Sequence, residues 1–297
     1  MNNLKIIYIF LLAWICVFVV YSCSKEQAHG IPAFAPGDSS YLDFSSVRKE
    51  LEPKLGSDFT MYEKSYFMIV SNLSSSETDN IINNTIIRSL GCFYNKFFDK
   101  KPDEVTTIFL FKDDNSYRSW AKKLYDDDDL SRFGYYKPSD RVMLMNIATG
   151  TGTLVHEMTH ALVRYDFPSI PSWFNEGLGS LYERCSLNNN EILGYVNWRL
   201  PDLQDAIKEG SYTSLDNLLK TNYDEFYGSN SSFNYAQARY LCMFLQEKRL
   251  LKEFYKLFRD TYNDDNTGKK QIENVYKKSL KELEEDYLVW VKTLRYE

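Results

Sequence analysis

The sequence predicts an α+β fold, with a mixed α/β N-terminal part leading into a mostly α-helical C-terminal part. Three observations predict it. The strand-like apolar runs, 66–71 (YFMIVS), 105–111 (VTTIFLF) and 141–146 (RVMLMN), all fall before Thr151. Helical spacing of apolar residues occupies the segments between them and nearly everything after Thr151. No composition break, internal repeat or low-complexity stretch interrupts residues 41–297. That region therefore reads as one body, with 41–165 holding the strands and a long helix and 166–297 the remaining helices.

The elements follow in order. Residues 1–22 read as a secretory signal: Lys5 gives a positive start, and 6–21 is an unbroken apolar or aromatic run. Sixteen residues fall short of the roughly 20 that a spanning helix needs. The Val20-Tyr21-Ser22-Cys23 that follows resembles a bacterial lipobox, which makes Cys23 the lipidated N-terminus of the mature chain; an uncleaved anchor helix is the alternative. Either way the body sits outside the cytoplasm, tethered to a membrane of the cell envelope. Residues 23–40, with Gly30, Pro32, Pro36 and Gly37, lack periodicity and read as a flexible tether. The run 76–98 has apolar residues at helical spacing, and 116–125 reads as a short helix. The acidic run 126–129 lacks the alternating ligands and central Gly of a calcium loop, so it reads as a solvated loop.

Composition narrows the functional classes. The chain has 297 residues, 44% of them hydrophobic, so it can bury a sizeable core. With 35 Lys+Arg against 41 Asp+Glu, the net charge of -6 argues against a nucleic-acid partner, which needs a basic field. Cys92, Cys185 and Cys242 have no close spacing and predict neither a disulfide framework nor a cysteine metal site. Histidines are scarce: His29, His156 and His160.

Two of those three stand in His156-Glu157-Met158-Thr159-His160, an HExxH pattern. No Gly or Pro interrupts 153–166, and Thr151 or Thr153 can cap the start. On a helix the two histidines share a face one turn apart, so both imidazoles reach one metal, and Glu157 emerges beside them as a general base toward water. A catalytic zinc takes three protein ligands and keeps the fourth position open. No further histidine follows His160, and His29 lies in the tether, so the third ligand is a carboxylate or a cysteine. Glu176 lies sixteen positions after His160, near the start of a second helix, with room for a turn and an antiparallel return. Glu183, two turns further along, is the other candidate, as ligand or as a partner of one.

HEMTH followed by PSWFNEGLGSLYE resembles the gluzincin metallopeptidases, in their peptidase-MA-like branch. The resemblance implies a thermolysin-like architecture, with RVMLMN as an edge strand above the active-site helix. It implies one zinc on His156, His160 and Glu176, with Glu157 as general base. Ser180 stands where some gluzincins carry an acidic residue, so the groups orienting the histidines differ here. It also implies a tyrosine near the start of a later helix that donates to the oxyanion, worth a few kcal/mol at the developing charge. Tyr235 fits by order, and Tyr223, Tyr227 and Tyr240 are nearby rivals among 23 tyrosines. The implied function is a membrane-tethered metallopeptidase acting on peptides or proteins, more an endopeptidase than an exopeptidase because no amine-anchoring motif is present. A non-catalytic binding lipoprotein on the same fold is the competing reading.

Overall fold

A computed structural model of the chain describes residues 39–128 and 130–296 and is mixed α and β, with helices dominant. The signal, the Cys23 motif, most of the tether and His29 lie outside the described residues. No helix among the described residues is long and apolar enough to cross a membrane.

The chain opens with a helix that the periodicity did not announce, α1 (Phe44–Leu51), whose N-cap Asp43 accepts from the Ser46 backbone N–H at 2.9 Å. A tight hairpin joins β1 (Thr60–Lys64) to β2 (Phe67–Ser71). Ser74 and Glu77 form a capping box for α2 (Ser75–Ile81), which runs through one π turn, Ile82–Ile86, into α3 (Ile87–Lys96). The expected single helix over 76–98 is thus one rod with a wider turn in it. Ile81, Ile82, Thr85 and Ile86, in and beside that turn, all face the interior.

After β3 (Thr106–Phe111) comes α4 (Asp114–Tyr125), started by an Asp113–Ser116 capping box and ended by Asp126 in the left-handed region at φ 57°. Asp126 to Asp128 form a loop, with Lys122 paired to Asp126 at 2.7 Å, as the solvated reading expects. Then β4 (Gly134–Lys137) and β5 (Val142–Asn146) form a second hairpin. The five strands pair in the order β1-β2-β3-β5-β4; β2, β3 and β5 are parallel, and the outer strands are antiparallel.

This topology corrects one expectation. RVMLMN is not the edge strand: β5 is bonded to β3 on one side and β4 on the other, and the edge is β4. All five residues of β5 are buried, as continuous apolar runs are in parallel sheets covered on both faces. The edge strand, GYYK, is short and polar at its end, which suits an edge and hides it from a search for apolar runs.

Two helices follow, α5 (Gly152–Asp166) and α6 (Ser172–Leu181), joined by a short turn holding Pro168 and Pro171. A hairpin not foreseen in the helical half comes next: β6 (Cys185–Asn188) and β7 (Glu191–Gly194). Its two-residue turn uses Asn189 and Asn190 at φ 51° and 60°, the backbone that a twisted hairpin demands. The chain finishes with α7 (Leu200–Glu209), α8 (Leu215–Leu219), α9 (Tyr223–Tyr227), α10 (Ser231–Glu247), α11 (Leu251–Asp260), α12 (Lys269–Tyr276) and α13 (Leu280–Thr293). One hydrophobic core runs from Leu42 to Val291, so 41–165 and 166–297 share an interior. Buried Phe174, on α6, packs its ring edge-on to Phe254 and tilted against Trp173, Tyr255 and Phe258, which fixes α6 against α11.

Candidate metal centre

The helix α5 lies against β4 and β5, and its C-terminal end is tied to the sheet by Arg164, which donates to the Tyr136 hydroxyl and the Pro138 carbonyl at 2.9 Å each. Thr151 takes the N-cap position, but its side chain makes no capping bond. What shapes that end is Gly152: a Cβ there would lie 2.2 Å from the Glu183 carbonyl oxygen, so only glycine lets the two backbones touch. Four residues on, α5 presents buried His156, and one turn later His160, with ring centroids 4.6 Å apart.

From α6 comes Glu176, buried, its Oε2 at 3.3 Å from His156 Nε2 and 3.4 Å from His160 Nε2. Two glycines make this approach possible. At Gly177 a Cβ would meet the Ala238 carbonyl oxygen at 2.7 Å, so glycine lets α10 pass close; at Gly179 it would meet the face of the His156 ring at 3.1 Å. Among the described residues, His156, His160 and Glu176 are the one group of three such side chains able to hold a metal ion. The Glu176 Oε2 is buried and accepts no hydrogen bond, an expensive state for a carboxylate oxygen. Bonds of about 2.0–2.1 Å in a tetrahedral site separate ligand atoms by about 3.3 Å, so these spacings suit a zinc-sized ion.

Each of the three side chains has a polar neighbour on its far side. The other nitrogen of His156, Nδ1, faces Glu183 Oε1 at 3.2 Å, so Glu183 stands behind the ring and away from the cluster. Glu183 in turn takes Asn197 Nδ2 on Oε2 and Arg199 Nη2 on Oε1, both at 3.2 Å. His160 Nδ1 donates to the side-chain Oδ1 of Asn175 at 2.9 Å, which leaves Nε2 to carry the lone pair. The Tyr227 hydroxyl donates to Glu176 Oε1 at 2.6 Å. Ser180 is buried with its hydroxyl unpaired, and the carboxylate behind His156 comes from Glu183 in the next turn.

Glu157 is half-buried beside the ligands and outside the ligand group. Burial raises its pKa, against the pull of His156 and His160. Burial opposes the charged form of His156, but Glu176, Glu183 and Glu157 together outweigh it and hold its pKa well above the ordinary value. His160 is raised in the same way, and Glu176 is held well below the usual carboxylate range by the two histidines despite its burial. Three carboxylates around two imidazoles, with Arg199 on the outer side, make surroundings that favour a cation.

Of the tyrosines, Tyr235 lies at the site, half-buried, with the Arg199 guanidinium 5.2 Å from its ring. Burial first, then Glu176, Tyr227 and Glu157, keep its phenol protonated. Tyr240 is elsewhere, its hydroxyl bonded to the Asn197 backbone, and exposed Tyr223 reaches the site only through the Tyr227 ring, 4.5 Å away. Cys92 and Cys242 are buried and Cys185 half-buried; all are free thiols, and none joins the metal group. Asn175, Asn197 and Arg199 are contacts that sequence reasoning missed: the only local signal was Asn175 next to Glu176. No protein-family model matches the chain, and no curated protein matches it.

Proposed function

We propose that the chain is a zinc-dependent peptidase of gluzincin type with a thermolysin-like architecture, tethered outside the cytoplasm by lipid on Cys23. The observation that carries it is the convergence of His156 Nε2 and His160 Nε2 on an unpaired Glu176 Oε2, at 3.3 and 3.4 Å, with Glu157 alongside. Held there, zinc supplies Lewis acidity, which makes water nucleophilic near neutral pH and polarises a carbonyl. Glu157 accepts the proton that water loses on attacking the substrate carbon, and returns it to the leaving amine nitrogen. Tyr235 keeps its proton and donates a hydrogen bond from its phenol to the oxygen on which negative charge develops. The free edge of β4, beside α5, offers backbone groups to an extended peptide, in the role first expected of RVMLMN.

The test is Glu157→Gln in the full chain, which keeps the shape of the side chain but removes the base. Zinc content and thermal stability should match wild type, while peptide cleavage falls roughly 100- to 10,000-fold. Undiminished cleavage at equal zinc content refutes the mechanism. Zinc-loaded wild type that cleaves no peptide favours the binding lipoprotein instead.

A further inference from the structure

Among the groups around the ligands, Tyr227 has the shortest contact and no part in the proton transfers. Its hydroxyl donates to Glu176 Oε1 at 2.6 Å, the length of a charge-assisted O–H···O bond, while Oε2 of the same carboxylate faces the two histidines. The carboxylate is therefore divided: one oxygen is saturated by a phenol, and the other is free toward the ligand cluster.

The position of the phenol is built independently of Glu176. An Asn222–Glu225 capping box starts α9, and Asn234 on α10 donates to the carbonyls of Glu225 and Phe226, which pins the end of that short helix. The Tyr227 ring packs among Tyr223, Phe226 and Tyr235, with centroids at 4.5, 5.2 and 6.2 Å. Glu176 is meanwhile fixed on α6, whose glycines seat it against α10 and His156. Two elements, each anchored on α10, thus meet at one hydrogen bond.

We propose that Tyr227 is a positioning residue that holds Glu176 in one-oxygen coordination, so that this carboxylate cannot close on the metal with both oxygens. The inference rests on the metal reading above and adds to it. A carboxylate is free to bind a metal through one oxygen or two, and a second bond would take up the position that a catalytic site keeps open. A phenol donating to Oε1 opposes that rotation. It also fixes the orientation of a ligand, and partners of that kind are worth about 10- to 100-fold in metal affinity.

The experiment uses Tyr227→Phe in the full chain, with cobalt(II) as a spectroscopic stand-in for zinc. Wild type should give the intense visible bands of four-coordinate cobalt. Y227F should give weaker bands of higher coordination, and its zinc Kd should rise about tenfold or more. A second variant, Tyr227→Leu, loses ring and hydroxyl together and should show the same cobalt spectrum, since the hydroxyl is what matters. If both Tyr227 variants fold, bind cobalt and match the wild-type spectrum and zinc affinity, the proposal is overturned while the metal reading stands. If wild type takes up neither ion, the metal reading falls and this proposal with it.

Discussion

Gly179→Ala probes the site without replacing any of the three side chains that face one another there. Its Cβ would lie 3.1 Å from His156 Nε2 and 3.2 Å from Cδ2 and Cε1, across the face of the ring. Comfortable carbon contacts begin near about 3.5 Å, so the ring or the helix must yield by about 0.3–0.4 Å. The ring has little freedom, because it lies between Glu183, 3.2 Å from Nδ1, and Glu176, 3.3 Å from Nε2. Overpacking of this kind costs about 1–3 kcal/mol. Alanine recovers about 1 kcal/mol, because Gly179 sits in a helix without needing glycine's conformational freedom. The net effect on stability is then a loss of about 0–2 kcal/mol. Zinc affinity is affected more, since moving Nε2 by tenths of an ångström disturbs a ligand directly, and it should fall tenfold or more. Urea unfolding of the apo-protein, and zinc competition against a chromophoric chelator, separate the two. A variant that is about 1 kcal/mol more stable and binds zinc as wild type does would show that Gly179 is not packed on the His156 ring.

Two further outcomes follow from contacts outside the ligand group. Glu183→Ala should weaken zinc binding about 10- to 100-fold yet still take one zinc per chain, because Glu183 faces Nδ1 of His156; loss of the binding stoichiometry would make it a ligand. Burial, partly offset by Glu191, lowers the Lys96 pKa to about 8, so between about pH 8 and 10.5 the unfolded chain binds more protons at this site and stability rises with pH. Lys96→Met should abolish that rise, worth up to about 3 kcal/mol, and parallel stability curves for the two proteins between pH 7 and 10 would contradict it.

The inner strands were legible because their chemistry is uniform. YFMIVS, VTTIFLF and RVMLMN are buried on both faces, so no polar alternation obscures them. The edges were not: Thr60–Lys64 and Gly134–Lys137 face solvent in part, carry Glu, Lys and Gly, and owe their pairing to neighbours distant in sequence or across a turn. For the same reason RVMLMN was placed at an edge when it is interior. The hairpin β6–β7 was signalled only by Asn188-Asn189-Asn190, inside a region whose apolar spacing otherwise reads as helix. In the site, the ligand candidates were legible because helical spacing fixes His156 and His160, and one tight turn brings back Glu176. The side chains supporting them were harder. Glu183 was seen with its role open between ligand and partner of a ligand, and Tyr227 was one tyrosine among several. Asn197 and Arg199 reach the site only through the turn after β7.

The supports of the three ligands come from different parts of the chain. His160 leans on Asn175, from the same helix as Glu176. His156 leans on Glu183, just beyond that helix, which is itself held by Asn197 and Arg199 from the segment after the hairpin. Glu176 leans on Tyr227, from α9, and its helix is seated on α10 through Gly177. The ligands alone span α5 and α6, but their orientation depends on the hairpin, on α9 and on α10 being docked. A metal that binds only the oriented set therefore adds its binding free energy to the docking of those elements as well as to the pair of ligand helices. The glycines at 152, 177 and 179 mark where that docking is closest, since each admits a backbone or an imidazole where a methyl group would collide. In the helical half, then, the residues that make the site and the residues that close the fold largely coincide.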